Sequence, residues 1–326
     1  MGIPRALLFY ELFPLWREFF TSLGCEVITS QPTSKETLNA GASAAVDETC
    51  LPIKIMYGHI LELQGKCDFI FLPRLVSIEP NSYICPKFMG LPDIVRGLGV
   101  QGVIEPTVDL RNPKEYWQRL WQAAVEIEYR LGIYSPTRVA SALFRGLLAE
   151  RGYRARLHQG YLPWEALDSE PLPKPSTQNQ VKIGVIGHPY TMFDQIINMN
   201  LFELLRLSGY GVLTPVNHEI RLLNRIARQL PKDLFWTYGR RMIGAARLWY
   251  QRKLVDGIIH IVSFGCGTDS LTGDLIERLT KRESDIPFML LTVDEHTGEA
   301  GFRTRVEAFL DMIQFRAAGA GRSGCQ

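Results

Sequence analysis

The sequence lacks any surplus of charge. Its 36 Lys and Arg stand against 34 Asp and Glu, a formal net charge of +2, so no overall field favours nucleic acid or an acidic membrane surface as a partner. It also lacks an apolar run of membrane-spanning length. The opening MGIPRALLFYELFPLW has no basic segment followed by an uninterrupted apolar stretch, and Ala6 stands where a myristoylation signal has Ser or Thr. A cytoplasmic protein without a membrane partner is expected. No Gly-x-x-x-x-Gly-Lys-Ser/Thr occurs, which removes the phosphate loop and with it any expected ATP site. GLGVQG, residues 97–102, has the letters of a dinucleotide fingerprint, but it follows a helical pattern and precedes a strand pattern, the reverse of the required order. It reads as a helix end and turn, so no nucleotide-binding residue and no NAD are expected. Cysteine is sparse, six in 326 residues of which 46% are hydrophobic. A chain with that much core material does not need disulfides, and thiol, metal or redox chemistry is the expectation for its cysteines.

What is present is an alternation of strand and helix patterns. IPRALLFY reads as a strand, FPLWREFFTSLG as a helix ended by Gly24, CEVITS as a strand, HILELQG as a helix and CDFIFLPRLVSI as a buried strand; LPDIVRGLG and VQGVIEP repeat the pair. This predicts an α/β fold of doubly wound, Rossmann-like parallel sheets. Residues 1–112 form the first α/β domain and 113–162 a helical appendage, with Asn112 and Ser135 as helix caps before Pro113 and Pro136. The proline-rich 163–180 reads as a linker, 181–316 as a second α/β domain, and 317–326 as a disordered tail. The basic stretch YGRRMIGAARLWYQRK, residues 238–253, reads as a solvated helix face.

Three cysteines share a context. Cys50 lies in DETCLPIKIMYGH, beside Glu48 and near a helix start; Cys85 in YICPKF and Cys266 in SFGCGTDS follow predicted strands. In open α/β sheets ligands bind at the carboxyl ends of strands, and two such sheets facing one cleft bring those ends together. Pro52 and Pro86 stiffen the chain beside two of the thiols, and Gly265 and Gly267 allow close backbone approach. The spacing is too long for a zinc ribbon; it suits an iron-sulfur cluster with one iron free of protein thiolate, and equally three unrelated buried thiols. Cys25, Cys67 and Cys325 read as structural. A second dense segment, DEHTGEAGFRTRVEAF, offers Glu295 and His296 for acid/base work, with Thr304 and Glu307 at capping-box spacing. His188 and Tyr190 in GHPYTMFD follow the first strand of the second half and face the same cleft.

GIPRALLFYELFPLW, DETCLPIKIMYGH, YICPKFMGLPD, SFGCGTDS and DEHTGEAGFRTRVEAF together resemble the activase-related branch of the 2-hydroxyacyl-CoA dehydratase superfamily, which includes benzoyl-CoA-type reductases and double-cubane cluster proteins. The resemblance runs from the first residues to about residue 315. It implies a [4Fe-4S] cluster in the interdomain cleft, bound here by Cys50, Cys85 and Cys266, or half of an [8Fe-9S] double-cubane cluster. It also implies electrons from a separate ATP-dependent activase of actin-like sugar-kinase fold that carries its own cluster. A homodimer, or a heterodimer with a three-cysteine paralogue, is expected on the same ground. The function implied is an iron-sulfur reductase component acting on a small substrate, with Glu295 and His296 managing protons. The alternatives are a 2-hydroxyacyl-CoA dehydratase subunit, a non-catalytic electron or cluster carrier, and a structural zinc protein.

Overall fold

The computed structural model describes residues 1–168 and 181–322, so the greater part of the expected linker, 169–180, and the last four residues of the expected tail lie outside the described residues. Among the described residues ten strands are formed: β1 Gly2–Ile3, β2 Ile28–Thr29, β3 Ile70–Phe71, β4 Arg74–Ser77, β5 Val103–Ile104, β6 Thr107–Asp109, β7 Lys182–Ile186, β8 Gly211–Leu213, β9 Gly257–Ser263 and β10 Phe288–Val293. One four-stranded sheet has the order β2-β1-β3-β5, a second the order β10-β9-β7-β8, and β4 pairs with β6 alone. Every strand pairing among them is parallel. Numbered within its own sheet, each four-stranded sheet therefore has the same order, second, first, third, fourth. In that order the connection reverses direction between the first and third strands, and the carboxyl ends there form a crevice.

The strand patterns of the second half are matched closely: VKIGVIG, LVDGIIHIVSF and DIPFMLLTV give β7, β9 and β10. The first half departs more. IPRALLFY forms a strand only at Gly2–Ile3, and a helix already begins at Phe9. Pro73 divides CDFIFLPRLVSI into β3 and β4, because proline cannot donate to a ladder. The appendage consists of helices Tyr116–Leu131 and Pro136–His158, the second capped at Ser135 with Pro136 in its first turn; the first is capped at Glu115, to whose side chain Asn112 donates, and not at Asn112 itself. Pro163–Leu167, expected to be linker, is a short helix that its proline starts. The closing helix runs Glu299–Arg322, so Thr304 and Glu307 lie inside it and do not cap it; the alanines at 317, 318 and 320, strong helix formers, carry it into the stretch expected to be disordered.

The basic stretch is not a solvated face. Helix Thr237–Arg252 is buried over nearly its whole length, with Arg240 at 3% exposure and Arg241 at 7%. Its cations are paired: Arg240 with the nearby Asp233, and, from distant parts of the chain, Arg247 with Glu283 and Arg241 with Glu11 and, at 3.5 Å, Glu79. Tyr238 donates to the other Glu11 oxygen at 2.7 Å. This helix thereby ties the first helix of the chain, Phe9–Ser22, to the second sheet. The main apolar cluster is continuous through it, from Met1, Phe20 and Phe71 to Trp249 and Ile258. A second cluster on the other side of β7 and β9 takes in Leu51 and Ile55 from helix Leu51–Leu63.

Candidate functional site

All three singled-out cysteines sit at helix N-termini. Cys50 caps Leu51–Leu63, Cys266 caps Gly267–Glu283, and Cys85 immediately precedes Pro86, which caps Lys87–Gly97. Proline in the first turn of one helix and at the cap of another costs no hydrogen bond there, since those amides have no intrahelical partner. The three thiols line one cavity, together with Leu7, Tyr190, Gly265 and Gly267. Leu7 follows β1, Tyr190 follows β7 and Cys266 follows β9, so the crevices of both sheets open towards the same space. Gly265 takes φ 70°, a left-handed turn that lets the chain leave β9 and enter the helix. Neither Gly265 nor Gly267 is required by packing against the protein itself. A Cβ at either would meet no atom within 4 Å.

The electrostatics restrict what these thiols can do unaided. Burial pushes Cys266 up to about 12, and the neighbouring Asp269 adds to the effect; the Thr268 hydroxyl and the Asp269 amide pull only partly the other way. Burial also raises Cys85, against a backbone hydrogen bond from Lys87. Each of these two is further raised by charge on Cys50, so three thiolates in one cavity repel. A thiol held that high is a poor nucleophile at neutral pH. A metal reverses this, because its charge deprotonates a coordinating thiol outright. Three converging thiols, three helix N-termini and amides directed at sulfur therefore fit an anionic metal cluster. They do not fit a free catalytic cysteine.

Behind Cys266 lies a buried polar group. His188 Nδ1 is 2.8 Å from Asp269 Oδ1, poorly aligned for a hydrogen bond, and both side chains are at most 3% exposed. Thr268 Oγ1 links them to sulfur, 3.3 Å from Cys266 Sγ and 3.4 Å from His188 Nε2. Despite the opposing effect of burial, the His188 ring holds the Asp269 carboxyl below its usual range. The ligand atoms of His188, Cys266 and Asp269 lie within 4.8 Å of one another. His188 stacks on Tyr190 with ring centroids 4.8 Å apart and meets the Tyr238 ring edge-on.

Of the expected site residues, Cys50, Cys85, Cys266, Tyr190, Gly265 and Gly267 come together around the cavity, and His188 stands directly behind it. Glu295, His296 and Glu48 are not among its lining residues. Glu295 pairs at 2.5 Å with Lys54, whose hydrogen bond holds its carboxyl below the usual carboxylate range; His296 is exposed and its amide is held by Asp294. Lys54, Lys87 and Asp269 were not singled out from the sequence, although each stands two to four residues beyond one of the three cysteines.

Two family models match the chain. One described as CoA enzyme activase uncharacterised domain (DUF2229) covers residues 1–217. One described as 2-hydroxyglutaryl-CoA dehydratase, D-component covers residues 211–313. The boundary between them falls at β8, so Cys50 and Cys85 lie in the first match and Cys266 in the second. No curated protein matches the chain.

Proposed function

The chain belongs to the CoA enzyme activase uncharacterised domain family, in the activase-related branch of the 2-hydroxyacyl-CoA dehydratase superfamily, and from that membership we propose that it is an iron-sulfur protein whose cluster is bound by Cys50, Cys85 and Cys266. The observation that carries the reading is the convergence of these three thiols on one cavity, each at a helix N-terminus. A [4Fe-4S] cluster held by three thiolates supplies one-electron reduction at an iron left free for a small ligand. The chain's own part is to receive and hold the anionic group. The helix ends offset its charge, the Lys87 and Asp269 amides and the Thr268 hydroxyl bond to sulfur, and the apolar walls limit water.

The electrons come, on this reading, from a separate ATP-dependent activase carrying its own cluster. A bridged [8Fe-9S] pair needs a second chain to double the thiolates, which makes a homodimer or a heterodimer with a paralogue part of the proposal. Proton handling by Glu295 and His296 draws no support from the cavity lining, whereas Lys54 holds Glu295 in an ion pair. A dehydratase subunit and a non-catalytic electron or cluster carrier share the same metal site, and differ in whether a 2-hydroxyacyl-CoA, or nothing small, is turned over. One observation favours a second reading: His188, Cys266 and Asp269 could hold a single divalent ion, as in zinc sites of mixed donors.

Metal analysis separates the readings. Anaerobically purified protein should carry about four irons and four sulfides per chain and give a reduced-cubane EPR signal, with excess sulfide and coupled spectra if cubanes are bridged. Cys50→Ser, Cys85→Ser and Cys266→Ser should each lose the iron. Full iron in all three variants would falsify the cluster assignment. Zinc without sulfide, lost in His188→Ala but not in Cys50→Ser, would establish the second reading instead.

A further inference from the structure

The turn after β7 serves two spaces. His188 reaches Thr268 and stacks on Tyr190 on the cysteine side, while its neighbours Gly187 and Pro189 line a second cavity that shares no lining residue with the first. This cavity lies beyond the carboxyl ends of β7 and β8, the edge at which open α/β sheets take ligands. Helices Phe9–Ser22, Pro136–His158 and Thr237–Arg252 complete its walls.

Most of the lining is aromatic or thioether, with Tyr10, Tyr153, Tyr238 and Phe193 beside Met192 and Met242. Such rings offer flat apolar surface, and methionine adapts to the shape of what it meets. The Glu11 carboxylate in this lining is already engaged, one oxygen by Arg241 and the other by Tyr238. The polar groups left open are donors. Arg154 spends Nε and Nη2 on Glu150 at 2.9 and 2.6 Å, and its Nη1 has no partner among the described residues and is not one of the buried atoms. Trp249 Nε1 donates to His218 Nε2 at 2.8 Å. An indole N–H can only donate, so Nε2 accepts and the His218 proton sits on Nδ1. That nitrogen likewise has no partner among the described residues and is not one of the buried atoms, so its N–H is open to an occupant of the cavity. His158, at the rim, and Arg252 stand close enough for their charge to oppose protonation of His218, and Arg252 has no ion pair among the described residues. Donors and a surplus of positive charge at the rim of an apolar interior call for an anion that carries a hydrocarbon body.

We infer that this cavity is a second small-molecule site that takes an aromatic monocarboxylate, its carboxylate on Arg154 Nη1 and His218 Nδ1 and its ring among the tyrosines and methionines. The site goes beyond the proposed function and needs neither the cluster nor a partner chain. A cation is repelled at the rim, and an uncharged analogue forfeits the charge-assisted bond to Arg154.

Hydrocinnamate is a suitable probe, with its amide and phenylpropylamine as controls of the same body, in ligand-observed NMR on the anaerobic full-length protein. Hydrocinnamate should bind with a Kd on the order of 1 mM. The amide should bind about 10-fold more weakly and the amine more weakly still. Arg154→Met should weaken hydrocinnamate about 10-fold and bring it level with the amide. Val216→Trp, at a half-buried lining position, should weaken acid and amide together by filling the cavity. Cys50→Ser should bind hydrocinnamate as the unaltered protein does. Absence of acid binding, equal binding of acid and amine, or acid binding that neither Arg154→Met nor Val216→Trp alters overturns the inference. Loss of binding in Cys50→Ser would place the acid in the cysteine cavity and overturn the second site, whatever the iron content.

Discussion

The two four-stranded sheets share one strand order and are held in different ways. In the second, β9 and β10 pair over six consecutive positions and β7 and β9 over four. In the first, β1 meets β3 at a single position and β2 at two. A parallel ladder that short contributes little by itself. The first sheet must rely on what packs against it, chiefly helix Phe9–Ser22, whose Trp16 and Phe20 meet Phe71, and helix Leu51–Leu63, whose Leu63 lies against Gly2. Two of the three cavity cysteines stand on that side, in loops that helices position and long strands do not. Long ladders fix the second sheet, and close helix contacts and buried polar bonds fix the first.

If that is right, the largest loss should follow from cutting the polar junction between them. Glu11→Gln leaves Arg241 buried with only the looser Glu79 contact, and breaking a buried pair at one end costs about 3–5 kcal/mol. Chemical denaturation should show one cooperative transition shifted as a whole, since the apolar core is continuous. Loss of the first half alone, as a separate early transition, would break the comparison in favour of independent units. The acid limb should change as well. Although burial opposes it, Arg241 holds the Glu11 carboxyl below its usual 4.5, so its stabilisation is present above that value and disappears as the pH falls through the lowered one. Glu11→Gln should flatten that limb.

Next in size is the helix contact that sets Cys50. Gly41 and Gly58 let helices Lys35–Ala44 and Leu51–Leu63 touch backbone to backbone; a Cβ on Gly58 would collide with the Thr37 carbonyl and one on Gly41 with that of Lys54. Gly58→Ala should cost about 3 kcal/mol and lower iron retention by moving the Cys50 helix. On the second sheet's side Gly273, inside helix Gly267–Glu283, has room for a Cβ at ordinary contact distance from His260. There Gly273→Ala should gain about 0.5–1 kcal/mol from helix propensity. Equal losses at both positions in urea titrations would erase the distinction.

These two positions also show what the sequence could and could not reveal. The second sheet was readable because its strands are unbroken apolar runs such as GIIHIVS, whose pattern alone demands burial on both faces. Cys50, Cys85 and Cys266 were readable because proline and glycine flank them at strand and helix ends. IPRALLFY misled because its apolar run suits a short strand and a helix start equally, and the turn at Leu7 leaves no composition signal. Arg241 misled because charge pattern assigns cations to solvent, while its partner Glu11 lies 230 residues away. Asp269 and Lys54 escaped for the same reason. A polar residue's partner is a property of the fold, and only its distance from a motif is visible in the chain.

The ladder side carries its own liability, His260 on β9. Both ring nitrogens are buried without a partner among the described residues, and burial lowers the ring to about 4. The unfolded chain therefore binds a proton below about 6.5 that the folded one refuses, so stability falls as the pH drops from there towards 4. Between pH 7 and pH 5 this site should cost about 2 kcal/mol. His59, also lowered to about 4, adds to the slope from the first half, where its Nε2 meets Thr33. Burial lowers His218 to about 4 as well, so His260→Leu should remove about a third of the measured slope, and His59→Leu a smaller share, because the latter also breaks a hydrogen bond. A slope untouched by His260→Leu would place the acid sensitivity on the other buried imidazoles, His59 and His218, and not on the ladder strand.

The smallest effect tests the seam between the two halves. Lys54, at 5% exposure, donates to the Asp47 carbonyl at 3.1 Å and to Glu295 at 2.5 Å, joining the Cys50 helix to the loop after β10. Glu295 keeps about a quarter of its side chain in water, so the pair is screened and its coupling should be about 1 kcal/mol in a cycle of Lys54→Met and Glu295→Gln. Lys54 holds Glu295 below its usual range, so the coupling is full above that range and fades on acidification through the lowered value. Salt should weaken it, unlike the Glu11–Arg241 junction. If the first half takes its position from polar bonds, Lys54→Met should also loosen Cys50 and raise the rate of iron loss to a chelator, while the second sheet's amide exchange stays unchanged. Coupling near zero together with unchanged iron loss would mean that Leu51 and Ile55, packed into the second sheet's core, hold the Cys50 helix without help from this ion pair.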